Sequence, residues 1–346
     1  MTSSLPEGSP SRLAEPTVED RLEGAFLGLA LGDALGFVVE AAPPEVASSY
    51  VQDWLLTGRA GERAHPNFPF GQYSDDTQLA RALLLGVRDA GGWDPAAFAH
   101  RVAELFREGR DVGAGPGTRA AALRLIGGTG WETSGTAPPY AGNGSAMRVA
   151  PLGVLFGADG AMLRSAAVAQ SWVTHQDHRC AGGSVAVAGA VALAMRPGPL
   201  DRPAFLAELA ELVAPESTEV AAVVRGLEAW AHLPAAAAAA YLRANRLDPA
   251  HTDPWRGISA FVLPSLAWSL YAFLGSPDDY WTTVCTAIAV GGDTDTMAAM
   301  AGGIAGARAG AHALPRHLLA RLTDRGDWGA VQLGALAREC VRFASR

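Results

Sequence analysis

Gly24-Ala25-Phe26-Leu27-Gly28-Leu29-Ala30-Leu31-Gly32-Asp33-Ala34-Leu35-Gly36 sets a glycine at every fourth position of an otherwise apolar run. In the helix that the pattern predicts from Val18 to Val39, this spacing strips one face of side chains. Each internal glycine costs about 0.5–1 kcal/mol relative to alanine. A ridge of them implies that something approaches the backbone closely, and another helix is the favoured partner. Asp33 and Glu40 add a polar demand. The macrodipole disfavours acids toward a helix C-terminus, so both are expected to face a cation or a polar cleft.

Far downstream, Gly291-Gly292-Asp293-Thr294-Asp295-Thr296 places two carboxylates at i and i+2 on a bend that glycine tolerates easily. It sits between two Ala-rich apolar segments, Tyr280 to Val290 and Met297 to Arg308, the latter with Gly302, Gly303 and Gly306 as a second small-residue face. Taken alone, the acids read as caps of the helix beginning near Met297, because Asp favours N-caps and first turns. Ser74-Asp75-Asp76-Thr77 repeats the same chemistry at the start of another predicted helix, Gln78 to Arg88. Two oxygen-rich clusters at helix starts shift the balance toward a hard-cation site.

The composition restricts the alternatives. With 346 residues, 49% hydrophobic, 40 glycines and 18% charged, the chain suits a large core with tight small-residue contacts. A net charge of −8 argues against bulk nucleic-acid binding, which needs clustered Lys and Arg. Cys180, Cys285 and Cys340 form no C-x-x-C pair, so neither a disulfide scaffold nor a cysteine zinc site is expected, and a reducing cytoplasm fits. Residues 1–16 are Ser/Pro/Glu-rich and read as a flexible tail without a secretory signal, ahead of a domain spanning 17–346. Gly24 to Val39 and Gly182 to Met195 fall short of the ~20 apolar residues of a membrane span, so buried core helices are expected.

Between the two acidic clusters the periodicity stays helical. Pro43 and Pro44 end the first helix, and Thr57 to Tyr73 reads as an irregular loop. Helices are expected over Pro95 to Glu108, Thr118 to Ile126, Ala161 to Trp172, onward to Met195, and from Phe261 to Leu274, with amphipathic helix from Pro315. Gly142-Asn143-Gly144-Ser145-Ala146-Met147-Arg148-Val149 reads as a loop-to-helix junction, which exposes backbone N–H groups as phosphate sites do, or serves as an ordinary capped turn. His175, Asp177 and His178 lack further Cys/His partners, so zinc is discounted in favour of a substrate-contacting or capping role. Residues 197–256 carry no functional signal. Strand patterns are nearly absent. The expected fold is all-α, a compact single-domain orthogonal helical globule with its site where helix ends converge.

Glu40, Asp75, Asp76, Asp293 and Asp295 together are too many acids to bury side by side without cations. Oxygen-only ligands select Mg²⁺ or Mn²⁺, and two clusters suit two ions. In order along the chain, the glycine helix ending in Glu40, S-D-D-T, G-N-G-S-A-M-R-V, T-H and G-G-D-T-D-T resemble the ADP-ribosylglycohydrolases, from about Val18 to about Gly310. The resemblance implies an all-α fold with a binuclear Mg²⁺ or Mn²⁺ centre. Carried over by motif, it implies that Ser74, Asp75, Asp76, Asp293, Asp295 and Thr296 ligate the ions, with Ser74 standing where the family usually has Thr. It implies Glu40 and Asp293 as the catalytic acids and Gly142, Asn143, Gly144, Ser145, Met147 and His175 as the ADP-ribose cleft. Asp33 is expected to support the ligands. The implied activity is hydrolysis of an ADP-ribosyl bond on proteins or small molecules, with ADP-ribose as the ligand and no membrane partner. A non-catalytic ADP-ribose-binding or crystallin-like relative and a metal-dependent phosphohydrolase are the competing readings.

Overall fold

The structure, a computed structural model, describes residues 15–245, 247 and 255–345. The expected tail lies outside the described residues through residue 14. Helices follow one another as α1 (Val18–Gly36), α2 (Pro44–Tyr50), α3 (Asp75–Ala90), α4 (Pro95–Arg107), α5 (Pro116–Ile126) and α6 (Trp131–Ser134). Then come α7 (Ala150–Phe156), α8 (Gly160–Trp172), α9 (His178–Ala194), α10 (Arg202–Val213), α11 (Thr218–Trp230) and α12 (Ala235–Asn245). The last are α13 (Val262–Gly275), α14 (Tyr280–Ile288), α15 (Thr294–Ala309), α16 (Arg316–Leu319) and α17 (Ala330–Cys340). Among the described residues there is no β-strand, only isolated bridges. The all-α reading holds.

The glycine ridge of α1 meets the small-residue face of α15, and the two form the centre of the molecule. A Cβ on Gly24, Gly28, Gly32 or Gly36 would stand 2.3, 2.5, 2.1 or 2.3 Å from the carbonyl oxygen of Gly306, Gly302, Ala298 or Thr294 in turn. Those partners descend as the glycines ascend, so the helices run antiparallel in near backbone contact. The acidic C-terminal end of α1 therefore lies beside the acidic N-terminal end of α15. Gly32→Ala is expected to destabilise the protein by about 1–3 kcal/mol through overpacking. Gly226→Ala is the control: a Cβ there meets nothing within 4 Å, and the expected change is a stabilisation of roughly 0.5–1 kcal/mol. Denaturant unfolding of both variants measures the difference.

Over Val18–Val39, 22 residues, α1 with its 3-10 extension is long and apolar enough to cross a bilayer, more than the shorter apolar stretch suggests, yet 83% of its most apolar window is buried in the globule. It is a core helix. The three cysteines are free and buried.

Several boundaries differ from expectation. α1 ends before the prolines, and Pro44 instead opens α2, where its missing N–H costs nothing. α15 begins at Thr294 rather than near Met297, which puts Asp295 and Thr296 inside its first turn. Residues 143–148 are not a helix start: Ala146 and Met147 N–H groups both turn back to Asn143 O (2.8 and 3.1 Å), and α7 begins only at Ala150. The stretch from Pro315 is not one amphipathic helix; a turn with Arg325 and Gly326 at positive φ separates α16 from α17. The turn also carries Asp324, a buried partner of Arg81 (2.9 Å). Residues 201 to 245 form three helices, which periodicity alone did not connect to function.

Candidate metal centre and substrate cleft

Asp33 connects α1 to the start of α3. Its carboxylate accepts the Ser74 N–H (2.9 Å), the Thr77 N–H (3.0 Å) and the Thr77 hydroxyl (2.5 Å). These are the N–H groups a helix start leaves unpaired, so Asp33 locks the turn that carries Asp75 and Asp76. Ser74 caps the helix as well, its hydroxyl accepting from the Asp76 N–H at 3.3 Å. One turn on, Gln78 holds the opposite wall of the cleft. Its Nε2 donates to Arg110 O (2.9 Å) and Asp324 Oδ1 (3.0 Å), and its Oε1 accepts from the Val112 N–H (3.0 Å). The Asp75 N–H donates to Val112 O at 2.7 Å.

The Gly291-Gly292 bend is left-handed at both residues, φ +74° and +87°. There it pairs with the end of the α1 segment: the Ala41 N–H donates to Gly292 O and the Gly292 N–H to Ala42 O, each 2.9 Å. This pairing carries Glu40 to the site. Asp293 occupies the N-cap position of α15 but makes no side-chain cap bond. Its carboxylate instead accepts from Asn143 Nδ2, and Asn143 also donates to Ser265 Oγ at 3.2 Å.

The carboxylates converge in two overlapping groups. Oxygens of Asp33, Asp76 and Asp295 lie within 4.8 Å of one another, and so do those of Glu40, Asp293 and Asp295. Thr296 Oγ1 donates to Asp76 Oδ1 at 3.4 Å. Asp76 Oδ2 and Asp295 Oδ1 are buried without any hydrogen-bond partner. Burying a charged oxygen unpaired is costly, and the donor set here contains only oxygen. These residues fit a hard divalent cation.

Burial, then repulsion from Asp293 and Asp33, raises the Glu40 carboxyl to about 7. Burial raises Asp33 to about 6 against the opposing hydrogen bonds from Thr77 and Ser74. Asp75, Asp76 and Asp295 are pushed well above the carboxylate range, by burial first and by neighbouring acids second. Without a cation, burial and mutual repulsion oppose ionisation of every member of this cluster.

The acids open into a cavity of about 300 Å³, whose lining includes Glu40, Asp75, Asp76, Asp293, Asp295 and Thr296. Its other side is formed by Gly142, Asn143, Gly144, Met147 and His175. Two expected residues lie behind these walls. Ser74 is buried in the α3 cap, and the Ser145 hydroxyl donates to Cys180 O (3.2 Å) in a cluster with Ser171 and Ser184. Asp177 takes the capping option, accepting the Arg179 N–H at the start of α9.

The sequence reading missed the Gly113–Pro116 wall, Thr118 and Tyr140. Tyr140 stacks on His175 with ring centroids 5.9 Å apart. The Gly/Pro punctuation at 113–116 marks a loop, but only tertiary bonds bring it to the acids, from Gln78 to Arg110 O and the Val112 N–H and from the Asp75 N–H to Val112 O. Arg148, for which the sequence pattern implies no role, is wholly buried and braces the Gly144 turn.

A family model described as ADP-ribosylglycohydrolase matches residues 14–344. The chain is 29% identical over 317 residues to the ADP-ribosyl-dinitrogen reductase glycohydrolase of Rhodospirillum rubrum, covering 89% of this chain and 92% of that protein. It is 28% identical over 323 residues to the ADP-ribosylarginine hydrolase Tri1 of Pseudomonas putida, covering 90% and 78%. A solved structure of an ADP-ribosylglycohydrolase-related protein complex superposes with a TM-score of 0.70 at 29% identity, covering 96% of this chain and 100% of that one.

Proposed function

We propose that this chain, which belongs to the ADP-ribosylglycohydrolase family, hydrolyses the C1″ bond that joins ADP-ribose to a protein side chain or to a small acyl group. The observation that carries the reading is the pair of orphaned buried oxygens, Asp76 Oδ2 and Asp295 Oδ1, within the carboxylate cluster at the head of the cavity. Asp75, Asp76, Asp293, Asp295 and Thr296, with Ser74 beneath them, are the residues proposed to hold two Mg²⁺ or Mn²⁺ ions. Bound there, such ions supply Lewis acidity toward water and ribose oxygens.

The protein's own groups do the rest. Glu40 accepts no hydrogen bond from the described residues, so its carboxylate, kept ionised beside a bound cation, is available as a base. It takes the proton of the attacking water as that oxygen bonds to C1″, and returns it to the departing nitrogen or oxygen. Asp293, held by Asn143, orients that water. As the C1″ bond lengthens, positive charge grows on the anomeric carbon, and the surrounding carboxylates stabilise it. Gly142, Asn143, Gly144, Met147 and His175 bind the remainder of ADP-ribose. The free cysteines are consistent with a cytoplasmic setting, which is part of the proposal.

The deciding experiment offers the protein arginine- and serine-linked ADP-ribosyl peptides and O-acetyl-ADP-ribose, each with Mg²⁺ and with Mn²⁺. Free ADP-ribose from at least one is expected. AMP or inorganic phosphate would point to a phosphohydrolase, and no product from any of them to a binding relative. ADP-ribose itself, with metal present, is expected to raise the melting temperature, since a ligand at a hundred times its Kd adds about 2.7 kcal/mol. No shift at millimolar ADP-ribose would contradict the cleft assignment.

A further inference from the structure

Behind the wall of the cavity, Arg148, Thr174 and His175 form a buried chain of hydrogen bonds. The Arg148 guanidinium donates to Gly144 O (3.0 Å), to Gln170 Oε1 and O (2.8 Å each) and to Thr174 Oγ1 (2.8 Å). Thr174 Oγ1 in turn stands 2.8 Å from His175 Nδ1. All three residues are almost wholly buried.

The direction of these bonds follows from donor chemistry. A guanidinium only donates, so Thr174 Oγ1 spends a lone pair on Arg148. The hydroxyl keeps one hydrogen. Among the described residues no acceptor other than His175 Nδ1 stands within reach of it, and a buried hydroxyl hydrogen left unpaired is rare and costly. The hydrogen therefore goes to Nδ1, which must be bare. The ring proton then sits on Nε2. That nitrogen lies against the Gly142–Gly144 turn, where a Cβ on either glycine would stand 3.4 Å from it, and His175 lines the cavity.

We propose that Arg148 and Thr174 are positioning residues that fix His175 as its Nε2–H tautomer, so that this point of the cavity presents a neutral hydrogen-bond donor to an acceptor oxygen, phosphoryl or hydroxyl, of the ligand. Burial and the nearby Arg148 charge hold the imidazole down at about 3, so it stays neutral at working pH. The opposite tautomer would point a lone pair at a phosphoryl oxygen and repel it. That the ligand is ADP-ribose rests on the function proposed above; the tautomer does not.

Full-length protein labelled at the histidine ring nitrogens tests both parts. The wild-type spectrum is expected to show His175 with Nδ1 bare and Nε2 protonated. Thr174→Val, which keeps shape and loses the hydroxyl, is expected to give a mixed or reversed tautomer and to raise the Kd and KM for ADP-ribosyl ligand about 10-fold. Its kcat is expected to change by less than about 3-fold, as for loss of uniform binding. Thr174→Ser is expected to restore the spectrum and the affinity. A wild-type His175 with Nδ1 protonated overturns the proposal, and this measurement needs no variant to fold. So does a Thr174→Val protein whose tautomer shifts while its affinity stays at the wild-type value. Wild-type protein with the expected tautomer but no affinity for ADP-ribose would refute the functional reading and uphold the positioning device.

Discussion

Stripping divalent cations from the protein is expected to abolish hydrolysis of ADP-ribosyl substrate, with Mg²⁺ or Mn²⁺ restoring it. The cause is electrostatic. Asp33, Asp76 and Asp295 crowd one point and Glu40, Asp293 and Asp295 another, and burial makes each charge dear. The cation-free state has its own signature. Asp33 rises from 3.8 to about 6 and Glu40 from 4.5 to about 7 on folding. A carboxyl whose folded pKa lies above its unfolded value contributes stability that is present below the unfolded pKa and is lost as the pH rises through the folded one. In chelator, the melting temperature is therefore expected to fall as pH rises through about 6 and then about 7. Saturating Mg²⁺ or Mn²⁺ is expected to flatten that slope, because the cation stabilises the ionised form. Full activity in verified metal-free protein, or a pH slope that metal does not alter, would remove the proposed centre.

The second large effect separates catalysis from metal holding. Glu40→Gln keeps the size of the side chain but can neither accept the water proton nor carry charge, so the single-turnover rate is expected to fall by about 10²–10⁴-fold. ADP-ribose affinity by calorimetry should stay close to the wild-type value, since Glu40 is only one lining group of the cleft. Asp293→Asn behaves otherwise. A neutral amide is a poorer partner for a hard dication, and it also faces the Asn143 amide, whose donor now meets the carboxylate. Metal affinity and turnover should decline together. A Glu40→Gln protein of near-normal rate would leave Asp293 as the base.

Gly24, Gly28, Gly32 and Gly36 announce a close helix partner in the sequence alone, because a four-residue glycine period has a cost that only near contact of backbones offsets. The acids were legible for a similar reason. Carboxylates with Ser/Thr hydroxyls at helix starts carry one chemistry wherever the chain goes, and Asp75, Asp76, Asp293, Asp295 and Glu40 do line one cavity. Local pattern is weakest where a residue type is ambivalent. Ser145 sits in a motif of cleft residues, but its hydroxyl turns inward to Cys180 O, and nothing in the spacing distinguishes the two directions.

What the sequence determined by itself was periodic or compositional: the helical repeat, the bare face of α1, the oxygen-only acids and the negative balance that disfavours bulk nucleic acid. These depend on near neighbours in the chain. Only the tertiary structure decided that α1 and α15 run antiparallel, so that Glu40 meets Asp293 and Asp33 reaches across to cap α3. Only it could bring Gln78 to Asp324 and thereby set the Gly113–Pro116 wall opposite the acids. It also decided which way the hydroxyl of Thr174 points, since that direction depends on Arg148 arriving from another segment with donors alone to offer. Hydrogen-bond direction and charge repulsion belong to pairs of groups, and the chain gives those pairs a distance only when it folds.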